Sequence, residues 1–457
     1  MMSPPDPFRA VSIWRPIVLT YFAARAIGTF HAGALRARKR ITSRDLRRIP
    51  AILQEVIHFQ ALSALAATAF IAGQPALPAA LPAPWQCQPA ITVTSIANSG
   101  PGTLRQAVAD LCADGTITFA PALAGQTITL TSTTIALNKH LAIDGSAAPG
   151  ITLSGNNARR IFDITLNTGV TLNRLTLTRG QGIDGGAIIT RGTLVISESS
   201  FVDNAATDYG GAIEVVTGEL TVSGCTFSGN DAFGGGAIDK ADGSVTIENS
   251  TFHNNSSLSD GGGFYNYVGT AVVVNSTFSD NSADAAGGGL YNADSGTLEL
   301  INTILANSGT ATDCANLGVL ATNTANLVEN DLDCPGSVTN DPNLDPLTHN
   351  GGPTLTMALR ADSPAVQAGN NAGAAGLTTD QRGSGYPRVR GRTVDIGAYE
   401  RCILSGDVNL DGVVNVLDLQ LVAGAWLTTA PAYDIDGSGL VDMLDIMIAS
   451  GEFGQSC

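Results

Sequence analysis

Residues 210–230 read GGAIEVVTGELTVSGCTFSGN, and residues 235–255 read GGAIDKADGSVTIENSTFHNN. The two stretches align without a gap, and the pattern continues on both sides. Glycine runs recur as GGAI at 185–188, 210–213 and 235–238, then GGGF at 261–264 and GGGL at 287–290, spaced by 25 or 26 residues. Between them stands an F-x-x-N element: Phe201/Asn204, Phe227/Asn230, Phe252/Asn255 and Phe278/Asn281, continued by Ile304/Asn307. A third column is an alternating strand: Leu194/Ile196, Leu220/Val222, Val245/Ile247, Ala271/Val273 and Leu298/Leu300.

Alternation turns one side of each strand inward. A unit this short cannot cover its own apolar side. Stacking units about 4.8 Å apart builds one continuous core and pairs the backbone in parallel ladders. The Phe column then stacks inside. The Asn column sits at a bend, where its amide can bond the neighbouring coil. Glycines serve the tight corners. The pattern predicts a parallel β-helix of nine to eleven coils, right-handed as parallel crossovers are. A β-propeller is disfavoured because its blades need about 40 residues.

An open solenoid end needs a cap. Residues 101–112, PGTLRQAVADLC, read as a short helix with Thr103 as N-cap and Leu104, Val108 and Leu111 on one side. The strands TITF (116–119), TITLT (127–131) and HLAIDG (140–145) would begin the coils.

Charge is unevenly divided over the 457 residues. Residues 1–50 hold ten of the 24 Lys and Arg and only Asp6 and Asp45 as acids, which leaves the remainder at a net −24. Such an acidic body argues against a nucleic-acid partner. Arg44, Arg47 and Arg48 precede an apolar run, Ala61–Ala72, and small residues and prolines follow through Ala83. This is the order of a secretory signal, and the run is short of the roughly 20 residues that span a bilayer. An N-terminal membrane anchor is the alternative; elsewhere nothing reads as a transmembrane span. Export permits disulfides. Cys314–Cys334 and Cys402–Cys457 are the preferred pairs among seven cysteines, and the odd count leaves at least one thiol over.

The stretches TVTSIANSGPGTLRQAVAD (92–110), GTITFAPALAGQTITLTS (115–132) and ITLSGNNARRIF (151–162) resemble the N-terminal region of bacterial surface β-helix proteins. The GGAI and F-x-x-N columns resemble the polymorphic outer-membrane-protein repeat. Residues 341–400 contain DPNLDPLTHNGGPTLTMAL, SPAVQAG and DQRGSGYPRVRGRTVDIGAYE, and look like a choice-of-anchor Q segment, which often closes such solenoids. These resemblances imply a fold and a surface location, not a reaction.

Residues 407–418 read DVNLDGVVNVLD and residues 434–445 read DIDGSGLVDMLD. In the first, Asp407, Asn409, Asp411, Asn415 and Asp418 fall at loop positions 1, 3, 5, 9 and 12, with Gly412 at 6. In the second, Asp434, Asp436, Ser438, Asp442 and Asp445 do so, with Gly439 at 6. Val413 and Leu440, at position 7, would offer backbone carbonyls. Calcium takes six to eight oxygens, so carboxylates spaced on a turning loop suit it, one ion per loop. Each loop runs into a helical stretch. The tandem is similar to a type I dockerin, a family of two calcium-loop-plus-helix halves that binds a cohesin domain. It departs from that family in two ways. The loops start only 27 residues apart, and positions 10 and 11 hold Val416/Leu417 and Met443/Leu444 where small hydroxyl or basic residues are common.

Enzymatic signals are sparse. There is no G-x-S-x-G turn, no P-loop and no H-E-x-x-H. Glu214 and Asp239 both follow GGAI, one coil apart, with Lys240 and Arg191 on nearby coils; Ile189, Tyr265 and Tyr291 continue the column. No catalytic residue is assigned. The expectation is an all-β, right-handed parallel β-helix, a pectate-lyase-like solenoid, with a small α-helical, dockerin-like, calcium-binding domain. Its parts are a leader (1–83), coils (88–340), a closing segment (341–400) and the calcium module (403–457). It would be a secreted, surface-associated protein for adhesion or carbohydrate binding, with a cohesin-type protein and a polysaccharide or surface glycan as partners. The alternative is a polysaccharide lyase or glycoside hydrolase delivered by the same module.

Overall fold

A computed structural model describes residues 87–309, 312–330, 333–391, 393–409 and 412–454. The leader expected over 1–83, the loop residue Asp411 and Cys457 lie outside the described residues.

The described chain winds into a parallel β-helix of nine turns, as the nine-stranded sheet from Thr127–Thr129 to Leu327–Val328 counts them. Register follows the columns read from the sequence. Leu194, Leu220, Val245, Ala271 and Leu298 are successive partners on adjacent coils, as are Phe201, Phe227, Phe252 and Phe278. The four rings stack at 4.7, 4.6 and 4.3 Å between centroids, within 6° of parallel. Asn204, Asn230, Asn255 and Asn281 form a buried ladder beside them. Asn230 Nδ2 donates to Phe201 O at 3.0 Å and to Asn255 Oδ1 at 2.8 Å, and Asn230 Oδ1 accepts from the Asn204 backbone N–H at 3.1 Å. Asn204, Asn230 and Asn255 each tie three consecutive coils in this way, and Asn281 ties the last two.

The GG pair has two jobs. Gly210 has φ +66°, in the left-handed region. A Cβ on Gly211 would meet Gly236 O at 2.0 Å, so the next coil leaves no room for one.

One column slips relative to the sequence reading. The partner of Phe278 is Leu305, and that of Thr277 is Ile304. The inward pair on the last full repeat is therefore Leu305/Ser308, not Ile304/Asn307. Side chains alternate, so an offset of one residue exchanges the two sides of the strand. Ile304 points outward yet is buried, because residues 334–400 pack over it.

Helix α1 (Leu104–Asp110) packs against the first two strands, Gln88–Val93 and Leu111–Phe119. The Thr103 hydroxyl accepts from Gln106 N–H at 3.3 Å, and Leu104, Val108 and Leu111 are buried. The helix ends at Asp110, and Leu111 already belongs to a strand. A Cys87–Cys112 disulfide, not anticipated from sequence, ties this cap together; Cys314–Cys334 forms as expected. Cys402 is disulfide-bonded, and Cys225 is a buried free thiol.

The chain beyond the coils runs alongside them as a strap. Thr226 Oγ1 donates to Leu355 O at 2.6 Å, Gln381 Nε2 to Cys225 O at 3.1 Å, Thr251 Oγ1 to Gln381 Oε1 at 2.6 Å, and Ala398 N–H to Thr277 Oγ1 at 3.0 Å. Inside the strap, Arg388 and Glu400 form a fully buried pair at 3.0 Å, and Arg382 lies between the Tyr386 and Tyr399 rings. The strap covers the outer face of the Phe-bearing sheet. The face carrying Glu214, Asp239, Tyr265 and Tyr291 lies on a different sheet.

Candidate functional site

The two calcium-type loops share one framework of hydrogen bonds. Asp407 Oδ2 accepts from Gly412 N–H, and Asp434 Oδ2 from Gly439 N–H, each at 2.8 Å. Asp418 accepts from Asn409 and Asn415 N–H at 3.2 and 2.9 Å; Asp445 accepts from Asp436 and Asp442 N–H at 3.0 and 2.7 Å. Position 12 thus folds back on positions 3 and 9, and both of its carboxylates are fully buried. Asn415 and Asp442 cap helices α2 (Val416–Gly424) and α3 (Met443–Gly451), with Asp418 and Asp445 closing the capping boxes. Gly412 and Gly439 sit at φ +89° and +90°.

The chemistry of the donor set fits a hard cation. Asp434, Asp436 and Asp445 each offer an oxygen within 4.8 Å of the others. Ser438 adds a hydroxyl, which donates to Leu440 O at 3.1 Å. No thiol or imidazole stands in either loop. In the first loop Asp407 and Asp418 accept the same backbone hydrogen bonds as Asp434 and Asp445, and Asn415 Nδ2 donates to Val413 O at 3.2 Å. The apolar pairs Val416/Leu417 and Met443/Leu444 stay outside the small core and are more than half exposed.

A second site lies on the solenoid. Glu214 and Asp239 are register partners on adjacent coils, in the column Asp163, Ile189, Glu214, Asp239, Tyr265, Tyr291. They stand at the floor of a cavity of about 350 Å³ walled by Tyr209, Tyr265 and Tyr267. Glu214 is 5% exposed and Asp239 3%. Glu214 Oε2 and Asp239 Oδ1 are buried and find no hydrogen-bond partner among the described residues. Burial, and then the Asp239 charge, pushes the Glu214 carboxyl well above the usual carboxylate range. Burial raises Asp239 too, opposed by the neighbouring Glu214 carboxyl. Both positions therefore favour the neutral carboxyl over the carboxylate.

The basic groups named beside this pair do not reach it. Lys240 points to the opposite side of its strand and is buried, with Nζ held by Gly243 O at 3.1 Å and by Val268 O. Burial lowers its pKa to about 8. Arg191 bonds Asp163 at 3.2 Å. Sequence reading missed Tyr209, which forms one wall and meets Phe233 edge-on at 6.3 Å. An aromatic just before the glycine run, at 209 and 233, was the available signal. Tyr265 and Tyr291 lie 5.1 Å apart, and Tyr267 is 53% exposed.

Among the described residues no helix is long and apolar enough to cross a membrane. No curated protein matches the chain. Two family models do: "Right handed beta helix region" over residues 160–333, and "Dockerin type I domain" over residues 405–451. Type I dockerin domains typically bind calcium, in keeping with the oxygen-only loops. The chain is therefore a right-handed parallel β-helix whose C-terminal module is similar to type I dockerin domains.

Proposed function

We propose that this is an exported protein whose β-helix binds carbohydrate and whose dockerin-like module holds it, through calcium, to a cohesin-type partner. The layout would be a leader over 1–83, coils over 88–340, a strap over 341–400 and the module over 403–457. Dockerin-bearing proteins are typically extracellular, which supports the secretory reading of the leader. Each loop would take one calcium ion, on Asp407, Asn409, Asp411, Val413 O, Asn415 and Asp418 in the first and on Asp434, Asp436, Ser438, Leu440 O, Asp442 and Asp445 in the second. The exposed Val416/Leu417 and Met443/Leu444 pairs repeat in both halves and favour a partner with an apolar contact surface.

The observation that carries the binding reading is the tyrosine-walled cavity on a face that the strap leaves uncovered. Aromatic rings present flat apolar surface to sugar C–H faces, and the carboxyls below accept hydroxyl protons. The same pair supports a second reading, as a glycoside hydrolase. Adjacent strands set the two residues about 4.8 Å apart at the backbone, at the lower edge of the roughly 5–9.5 Å that brackets a scissile glycosidic bond, and Lys240 and Arg191 are engaged elsewhere, so binding is the better reading. Incubating the purified chain with a panel of polysaccharides, with and without calcium, tests both. Retention without product supports binding. Release of reducing ends that is lost in Glu214→Gln would make it an enzyme.

A further inference from the structure

The floor of the cavity is a pair of buried carboxyls whose Glu214 Oε2 and Asp239 Oδ1 bond no described residue. Lys240 Nζ is spent on main-chain carbonyls, and Arg191 on Asp163. Arg160 donates to Asp184 O and Gly185 O on the coil before. The surroundings add negative charge: Asp184 and Asp208 act on Tyr209, and Asp260 on Tyr265. Above this floor the walls are three tyrosine rings. Buried polar oxygens without a partner are costly to the fold, and a ligand that donates to them would remove that cost.

Two kinds of cation could complete it. Calcium requires six to eight oxygens, and this cavity is lined by two carboxyls, three tyrosines and Ala241. An organic ammonium needs a carboxylate to receive N–H and ring faces to surround the charge, which is what the walls and floor supply. We propose that the cavity of Tyr209, Tyr265 and Tyr267 over Glu214 and Asp239 binds the protonated amine of an amino sugar, so that the glycan taken by this face carries free amino groups. This rests on the carbohydrate-binding reading and names the sugar class. The amine donates to both carboxyls, the ring-bound face of the sugar lies on Tyr265 or Tyr267, and no covalent step is involved.

The test is titration calorimetry on the full mature chain in saturating calcium, with three oligosaccharides of equal length: a glucosamine oligomer, its N-acetylated counterpart and a cellulose oligomer. The glucosamine oligomer is expected to bind about tenfold more tightly than the other two, the scale of one desolvated charge contact. Glu214→Gln together with Asp239→Asn should erase that preference and leave the weaker neutral binding within about twofold. Tyr267→Ala, an exposed side chain whose loss leaves the coil intact, should weaken glucosamine binding about fivefold. Equal binding of all three sugars overturns the amine assignment and leaves the carbohydrate reading standing. Binding of none overturns both. A preference that survives the double variant, or one abolished when calcium is raised further, places the charge contact elsewhere or gives the floor to a metal ion, and also overturns it.

Discussion

The solenoid and the C-terminal module bury themselves in opposite ways. The coils share one apolar interior that runs from Val93 to Val328 and is threaded by the Phe stack and the Asn ladder. The module closes over Val422, Ala425, Ile435, Val441 and Ala449, with a few half-buried neighbours. A core that small does not stabilise two helices by itself, and a metal or other staple normally completes it. The solenoid draws stability from repetition, so each coil supports two others. The module draws it from side chains gathered around a point of negative charge. Stability in one region is spread over many positions; in the other, on the calcium reading proposed above, it would hang on the ions.

That contrast can be broken most severely by chelation. Removing calcium from the full chain should unfold helices α2 and α3 while the coils stay folded, since a site at a thousandfold saturation contributes about 4 kcal/mol. Amide hydrogen exchange checks it: protection should vanish over 405–451 and persist over 160–333. Asp418→Ala with Asp445→Ala should give the same result with calcium present. Equal loss of protection in both regions would end the distinction drawn above.

Within the solenoid, Phe227→Ala should cost about 3–5 kcal/mol, because its ring lies between two others with no solvent to fill the gap. Arg388→Met should cost a similar amount, about 3 kcal/mol, by leaving Glu400 buried and unpaired. The two differ in place. Denaturant melts should show Phe227→Ala weakening the whole solenoid, while Arg388→Met should first make the strap susceptible to protease. Asn230→Ala should cost about 2 kcal/mol, the loss of one rung from a buried ladder whose neighbours keep their other bonds.

The smallest effect sharpens the comparison from the pH side. The Glu214 carboxyl is held above its ordinary range by burial and then by Asp239. The folded state therefore binds that proton more tightly than the unfolded state. The pair costs least at acid pH, below the unfolded carboxylate range, and erodes stability as pH rises through and beyond it. Glu214→Gln should be neutral near about pH 4 and stabilising by on the order of 1–2 kcal/mol near about pH 8, read as a difference in thermal midpoint from the parent at each pH. A constant difference across that window would mean that the fold does not hold the Glu214 carboxyl above its ordinary range.

Much of this was legible because the sequence repeats. Gly210 and Gly235, Phe227 and Phe252, Asn230 and Asn255 each report the same place on successive coils, so periodicity stands in for contact information. The loops were legible for a related reason: Asp407 to Asp418 and Asp434 to Asp445 are local, and spacing sets which groups converge. Legibility failed where the repeat ended or where a distant segment intervened. Ile304 looks like an inward residue because the strap buries its outward side, and no local pattern separates the two cases. Cys87–Cys112 escaped notice because nothing in the spacing says that the first strand, which Cys87 precedes, lies beside the strand that bears Cys112.

The amino-acid sequence by itself determined the solenoid, its registers apart from one slip, its helical cap and the two donor-bearing loops, since each follows from periodicity or from contacts within a dozen residues. Only the tertiary structure decided which face is covered, where Lys240 turns, and that Tyr209 and Tyr267 close over Glu214 and Asp239. Those outcomes depend on side chains from different coils, and on a strap more than 100 residues further along the chain than some of the coils it covers. Their meeting is settled by packing, which no short-range pattern encodes.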